Sequence, residues 1–344
     1  MNKEEVLKAF RNENEESVPF STWYHFTPNE HIEATKENGM FDTDLAREPK
    51  FVDDVQPDFI KLMNDGYFTY SYNGVDDPKN LASLANIQPI SDNHPWLKEQ
   101  YQLITAQLKA LTRSTVVLSN VFSAISLFKW SLVVDKPDED LSNADTVFAD
   151  LYTKDPETVK HALFVINNDI KKQINIQRDA GVNGVLFSTQ EIQDDRIDEK
   201  FFNEVQKKLD AELIAEINKY SDISILHVCG FGSATNHLPW FVDYKLPVVN
   251  WATRIDGYTL GEGKKLFKDK VVFGGLGNTT DDILYKGSQQ EIETEITRLI
   301  DEAGTQGVII GADCTVPRDT LTEHLKWAAA AAHNYGKQNQ IVHS

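Results

Sequence analysis

Ser224-Ile225-Leu226-His227-Val228-Cys229-Gly230 is a short apolar run that closes on an imidazole, a thiol and a glycine. Its length and β-branched residues read as a strand. Continuous apolarity is what a parallel strand covered on both faces requires. Side chains alternate along a strand, so His227 and Cys229 share one face while Val228 takes the other. Outward from this run, seven more of the same kind recur, over 18–26, 58–63, 114–122, 184–189, 247–252, 271–276 and 307–314.

The intervals between the runs carry helical periodicity. Phe201, Phe202, Val205, Leu209, Leu213 and Ile217 form one apolar stripe, and Ile292, Ile296, Leu299 and Ile300 form another. Ser288 with Glu291 three residues on is a capping-box start for the second of these helices, and Gly304 stops it. A last helix spans 319–335, with Ala328 to Ala332 as a close-packing face. Eight strands joined by helices predict an α/β fold, a TIM (β/α)8 barrel, as one domain over residues 1–344. A doubly wound open sheet is the alternative. Its dinucleotide fingerprint is missing, because Gly274-Gly275-Leu276-Gly277 lacks the final glycine and follows the seventh run. Residues 27–57 and 64–95 are rich in acids and turn formers and read as insertion or lid segments. The stretch 130–145, with Lys136-Pro137-Asp138-Glu139-Asp140, reads as a solvated loop.

Composition excludes several classes. The chain of 344 residues is 41% apolar, ample for a large core. No stretch approaches the ~18 uninterrupted apolar residues of a membrane helix. The start, Met1-Asn2-Lys3-Glu4-Glu5, lacks the apolar run of a signal peptide. A net charge of −19 argues against nucleic acid or an anionic membrane as partner. With only two cysteines there is no disulfide framework, and a cytoplasmic location is expected.

Those two cysteines carry the chemistry. Barrel enzymes work at the carboxyl ends of their strands. Cys229 ends the fifth run and Cys314 the eighth, in Gly311-Ala312-Asp313-Cys314. Two thiolates and a neutral imidazole suit Zn²⁺, and three protein ligands with an open fourth position mark a catalytic site. The rival reading is two buried cysteines acting as small hydrophobes. Asp256 and Glu262 are candidates for a fourth ligand near the sixth strand, whose end holds Asn250 and Trp251. His25, at the end of the first run, reads either as a catalytic candidate reaching the barrel mouth or as a satisfied core histidine. Asn120 and Gln190 sit at the third and fourth strand ends, where they can bind substrate, and the backbone of Gly275 can approach an anionic group. His324 and His333 read as packing or surface residues of the last helix.

His-x-Cys-Gly at 227–230 and Gly-Ala-Asp-Cys-Thr-Val-Pro at 311–317 resemble the uroporphyrinogen decarboxylase superfamily, and most closely its zinc-dependent, corrinoid and coenzyme M methyltransferase-like branch. The similarity continues through Val271 to Leu276, Gly287-Ser288 and Pro317-Arg318-Asp319-Thr320, and covers roughly residues 220–335. The resemblance implies a TIM barrel with zinc on His227, Cys229 and Cys314. It also implies a small thiol substrate held as thiolate and methylated from a corrinoid (methylcobamide). The chain has no Asp-x-His-x-x-Gly segment, so a partner protein would supply the corrinoid. The decarboxylases of this superfamily instead use an arginine-rich segment at the first strand, and residues 23–28 contain none. Asp65, seven residues after Asp58, matches the spacing to the decarboxylase aspartate and also fits a turn before Gly66. Uroporphyrinogen decarboxylation is therefore the alternative function, and a non-catalytic binding barrel the third. Oligomeric state is left open, a homodimer included.

Overall fold

The computed structural model describes residues 1–13, 17–34, 39–133 and 143–335. Its centre is an eight-stranded, all-parallel sheet: β1 Phe20–Ser21, β2 Phe59–Lys61, β3 Val116–Phe122, β4 Gly184–Thr189, β5 Ile225–Val228, β6 Val248–Trp251, β7 Val271–Leu276 and β8 Val308–Ala312. The strands pair in sequence order from β2 to β8, and β8 pairs back onto β1. This closed order is that of a TIM barrel, and the open-sheet alternative falls. The remaining seam, between β1 and β2, is bridged where the Asp58 amide donates to the Phe20 carbonyl and the Ser21 hydroxyl to the Phe59 carbonyl.

Close approach at the β1–β8 seam depends on Gly311, level with Ser21. A methyl group there would strike the Ser21 carbonyl and the Phe273 ring. Strand interiors are almost wholly buried, as both-face coverage demands.

β1 is shorter than the run 18–26. Pro19 brings no N–H, and beyond Thr22 the backbone leaves the ladder: the amides of Phe26 and Thr27 donate to the Asp65 carboxylate, and the Trp23 carbonyl accepts from Val316. Part of the segment read as lid is the helix Met40–Val55, which buries Met40, Asp44, Glu48, Phe51, Val52 and Val55 on one stripe. Two acids within that stripe hide its helical period from the sequence. The helix from Ser288 to Gly304 is built as expected, with a capping box at Ser288 and Glu291. Lys136 to Asp140, read as a solvated loop, lies outside the described residues. No helix of the described residues is long and apolar enough to cross a membrane.

Candidate active site and metal centre

A cavity of about 290 Å³ opens at the carboxyl ends of the strands and is lined by His25, Lys61, Asn120, Gln190, His227, Cys229 and Cys314 among others. The register sets His227 on β5 level with Ser188 on β4 and Asn250 on β6. One residue past β5, the Cys229 amide still donates to the Thr189 carbonyl. Cys314 follows β8. The donor atoms of His227, Cys229 and Cys314 lie within 4.8 Å of one another. Sγ of Cys229 and Cys314 are 4.0 Å apart, and Cys314 Sγ is 3.5 Å from His227 Nε2. Zn–S bonds of about 2.3 Å and a Zn–N bond of about 2.05 Å, set tetrahedrally, require S···S of about 3.8 Å and S···N of about 3.5 Å. These residues therefore form a metal-competent group, compatible with zinc.

The surroundings prepare each donor. Asn250 donates through Nδ2 to the carbonyls of Phe273, at 2.9 Å, and Ala312, at 3.4 Å, so its Oδ1 faces His227 Nδ1. That bond places the imidazole proton on Nδ1 and leaves the Nε2 lone pair toward the thiols. The Phe231 amide donates to Cys229 Sγ at 3.4 Å. Asp313, next to Cys314, accepts from the Thr253 amide and hydroxyl and from the Gly275 amide, tying the β8 end to the neighbouring strands. Burial pushes the Asp313 carboxyl up to about 7. The thiols share a proton: their mutual hydrogen bond, then burial, raises Cys229. The same bond, against burial and with the imidazole's help, lowers Cys314.

Among the other sequence candidates, Asn120 is 3% exposed, lines the cavity and leaves both amide atoms without a partner. Gln190 is committed to structure: its Nε2 holds the carbonyls of Cys229 and Phe231 while Oε1 accepts from Lys129. His25 reaches the cavity, and its Nδ1 lies 2.7 Å from Asp65 Oδ1. Asp65 is fully buried behind it. Burial alone would raise this carboxyl, but His25 and the amides of Thr27 and Phe26 hold it below the usual carboxylate range.

Gly275 lies outside this cavity. It turns at φ +99° against Leu260 and Leu299, and its amide is spent on Asp313. Asp256 accepts from Asn236, and Glu262 caps the helix Leu260–Phe267. Neither joins the three donors among the described residues. His324 bonds the Leu284 carbonyl, and His333 pairs with Asp58 at 2.6 Å.

Sequence reading missed Lys61. Its ammonium is buried 3.2 Å from Met63 Sδ and stands over the rings of Trp23 and Phe68. No carboxylate of the described residues lies within ion-pair distance of it. Burial, against the pull of Asp65 and Cys314, pushes its pKa down to about 8. The signal was present as a lone lysine inside Phe59-Ile60-Lys61-Leu62-Met63.

A parallel (β/α)8 barrel with donors of this kind at its carboxyl end defines a metal-competent TIM-barrel protein. The family profile described as uroporphyrinogen decarboxylase (URO-D) matches residues 67–335, and the chain belongs to that family of enzymes. Among solved structures, a methyltransferase from Methanosarcina mazei is similar at 15% identity and TM-score 0.72, with 97% of this chain and 98% of that one covered. A B12-independent methionine synthase from Shewanella sp. W3-18-1, in complex with selenomethionine, is similar at 11% identity and TM-score 0.51, covering 96% and 99%. At such identities the likeness establishes the fold. No curated protein matches the chain.

Proposed function

We propose that this chain is a methyltransferase of the uroporphyrinogen decarboxylase family. His227, Cys229 and Cys314 would hold Zn²⁺, which would keep a small thiol ionised. Its sulfur would take a methyl group from a corrinoid presented by a partner protein, the S–CH3 bond forming as the Co–CH3 bond breaks and that electron pair leaving with the cobalt. The observation that carries this reading is the spacing of the three donors: 4.0 Å between the sulfurs, 3.5 Å from Cys314 Sγ to His227 Nε2, and all three within 4.8 Å of one another. When bound there, zinc supplies a Lewis acid that keeps a substrate thiol ionised at neutral pH. Two cysteine thiolates neutralise the ion, which favours a nucleophilic sulfur over hydroxide formation.

The chain's own residues do the rest. Asn250 fixes the imidazole, and the Phe231 amide together with Gln190 holds the Cys229 loop. Trp23, Phe68, Phe122, Leu186 and Val316 give the cavity an apolar wall that excludes water from the sulfur. The decarboxylase alternative is weaker, because Lys61 and Arg318 supply the only lysine and arginine among the described residues lining the cavity. An octacarboxylate would demand more counter-charge.

Metal analysis tests the proposal. Protein purified without chelator carries one zinc per chain, and Cys229→Ser and Cys314→Ser lose most of it. Incubated with methylcobalamin and either 2-mercaptoethanol or 3-mercaptopropionate, the zinc-loaded protein forms the methyl thioether, read by mass spectrometry. Zinc-free protein as isolated, or full zinc in both serine variants, overturns the proposal.

A further inference from the structure

A second cluster of ionisable groups runs into the same cavity from the loops after β1, β2 and β8. Its inner end is Asp65. One carboxylate oxygen accepts from the Phe26 amide at 2.8 Å, the Thr27 amide at 2.9 Å and the Thr27 hydroxyl at 3.0 Å. The other oxygen meets His25 Nδ1 at 2.7 Å. An acceptor so loaded fixes the imidazole proton on Nδ1 and turns the Nε2 lone pair away from Asp65. His25 Nε2 stands 3.5 Å from Glu30 Oε1, and Glu30 Oε1 stands 3.8 Å from His31 Nε2. Glu30 Oε2 is 3.4 Å from the Arg318 guanidinium. Neither ring nitrogen of His31 has a hydrogen-bond partner. Side-chain exposure is 0% at Asp65, between 13% and 18% at His25, Glu30 and His31, and 43% at Arg318.

Resting on the thiol reading above, we propose that this row is a proton path. His25 takes the proton of the incoming thiol, and Glu30 passes it to solvent at the Arg318 rim. In the step, the S–H bond breaks and its electron pair stays on sulfur. The proton bonds to His25 Nε2, and the Nδ1 proton remains shared with Asp65. His25, between Asp65 and Glu30, holds that proton while the thiolate stays bound; once the thioether leaves, a turn of the Glu30 carboxylate relays the proton outward and His25 returns to its starting form.

Elimination within the cavity supports the assignment. His227, Cys229 and Cys314 are committed to the metal. Lys61, with its pKa pushed down to about 8, is mostly an ammonium at pH 7 and there has no lone pair to offer. Asn120, Gln190 and Ser188 are not bases. The groups facing His25 are Asp65 from the loop after β2, Glu30 from its own loop and the Phe68 ring. Asp65 is a positioning residue in this scheme, acting through His25.

Proton counting separates this role from a structural one. Isothermal titration of zinc-loaded protein with 2-mercaptoethanol, in two buffers of different ionisation enthalpy, gives the protons released to buffer per thiol bound. At about pH 7, where Lys61 is still mostly an ammonium, the wild type retains most of the proton. His25→Gln releases nearly a whole proton, and so does His25→Asn, whose amide preserves a donor toward Asp65. Unchanged zinc content in both variants shows that the barrel and its metal site are intact. Methyl transfer falls by roughly 10²-fold or more in each. Wild type that binds the thiol yet releases a full proton, or variants with the wild-type count, overturns the path alone. No binding heat with either 2-mercaptoethanol or 3-mercaptopropionate instead overturns the thiol reading beneath it.

Discussion

His227 and Asn250, on neighbouring strands, are locked as donor and acceptor, and the lock has a single sense. The Asn250 amide nitrogen is committed to the carbonyls of Phe273 and Ala312, so only its oxygen is left for His227 Nδ1. An imidazole held this way keeps its Nε2 free for a metal without searching rotamers. Asn250→Ala therefore weakens zinc binding by roughly 10- to 100-fold, measured by chelator competition. Unaltered affinity would remove Asn250 from the account of the site.

Lys61 places a charge where stability disfavours it. Its folded pKa of about 8 lies below the 10.5 of an exposed lysine. The unfolded chain thus holds the proton more tightly, and stability rises as pH climbs from about 8 toward 10.5. Lys61→Met removes this cost. The variant melts higher at neutral pH, by no more than about 3 kcal/mol of added stability. Its advantage shrinks as the pH approaches the ordinary lysine value. Thiol methylation falls in the same variant, as expected when a strained group is kept for function. A more stable variant with full turnover would show that the charge is dispensable.

The barrel was legible because its strands are continuously apolar. The runs 184–189 and 271–276 coincide with β4 and β7 to the residue. Alternation along β5 also put His227 and Cys229 on the cavity side. What stayed hidden was pairing across distance. His25 and Asp65 each stood out alone, but the 2.7 Å contact joins residues 40 positions apart. The buried acids Asp44 and Glu48 hid a helix, since a stripe search expects apolar side chains there. Asn250 was visible at a strand end, yet its role follows from bonds on both sides of β6 that no local pattern encodes. Gly275 left two readings open, because a glycine turn near an anion site and one packed on Leu260 and Leu299 share the same sequence.

Gly311 tests the closure of the barrel. The backbone carbonyl of Ser21 and the ring of Phe273 occupy the place of a side chain, and a backbone group cannot swing aside. Gly311→Ala accordingly destabilises the fold by about 1–3 kcal/mol or more, seen as a lower melting temperature. It also loosens the β1–β8 seam, so amide exchange at Ile310 quickens. A melting point equal to the wild type would mean that the seam is looser than its register implies.

Asp210 gives a pH test at a group outside the cavity lining. Its carboxyl is fully buried in the helix Lys207–Ile217. One oxygen accepts from the Thr189 hydroxyl at 2.9 Å and the Tyr244 hydroxyl at 2.8 Å, while the other has no partner. Burial outweighs those bonds and pushes the pKa from 3.8 up to about 7. The folded state therefore holds this proton more tightly than the unfolded state does. Stability from this group is complete below 3.8, declines as pH rises through about 7, and is lost above it. Asn in its place still accepts from Thr189 and Tyr244 but never ionises. Relative to wild type, Asp210→Asn should thus gain stability between about pH 5 and about pH 8, whatever fixed cost its unpaired amide carries. Urea denaturation at the two pH values reads the change as a shift in the gap between midpoints. A gap that stays constant would show that Asp210 is ionised, and accommodated as such, throughout the range.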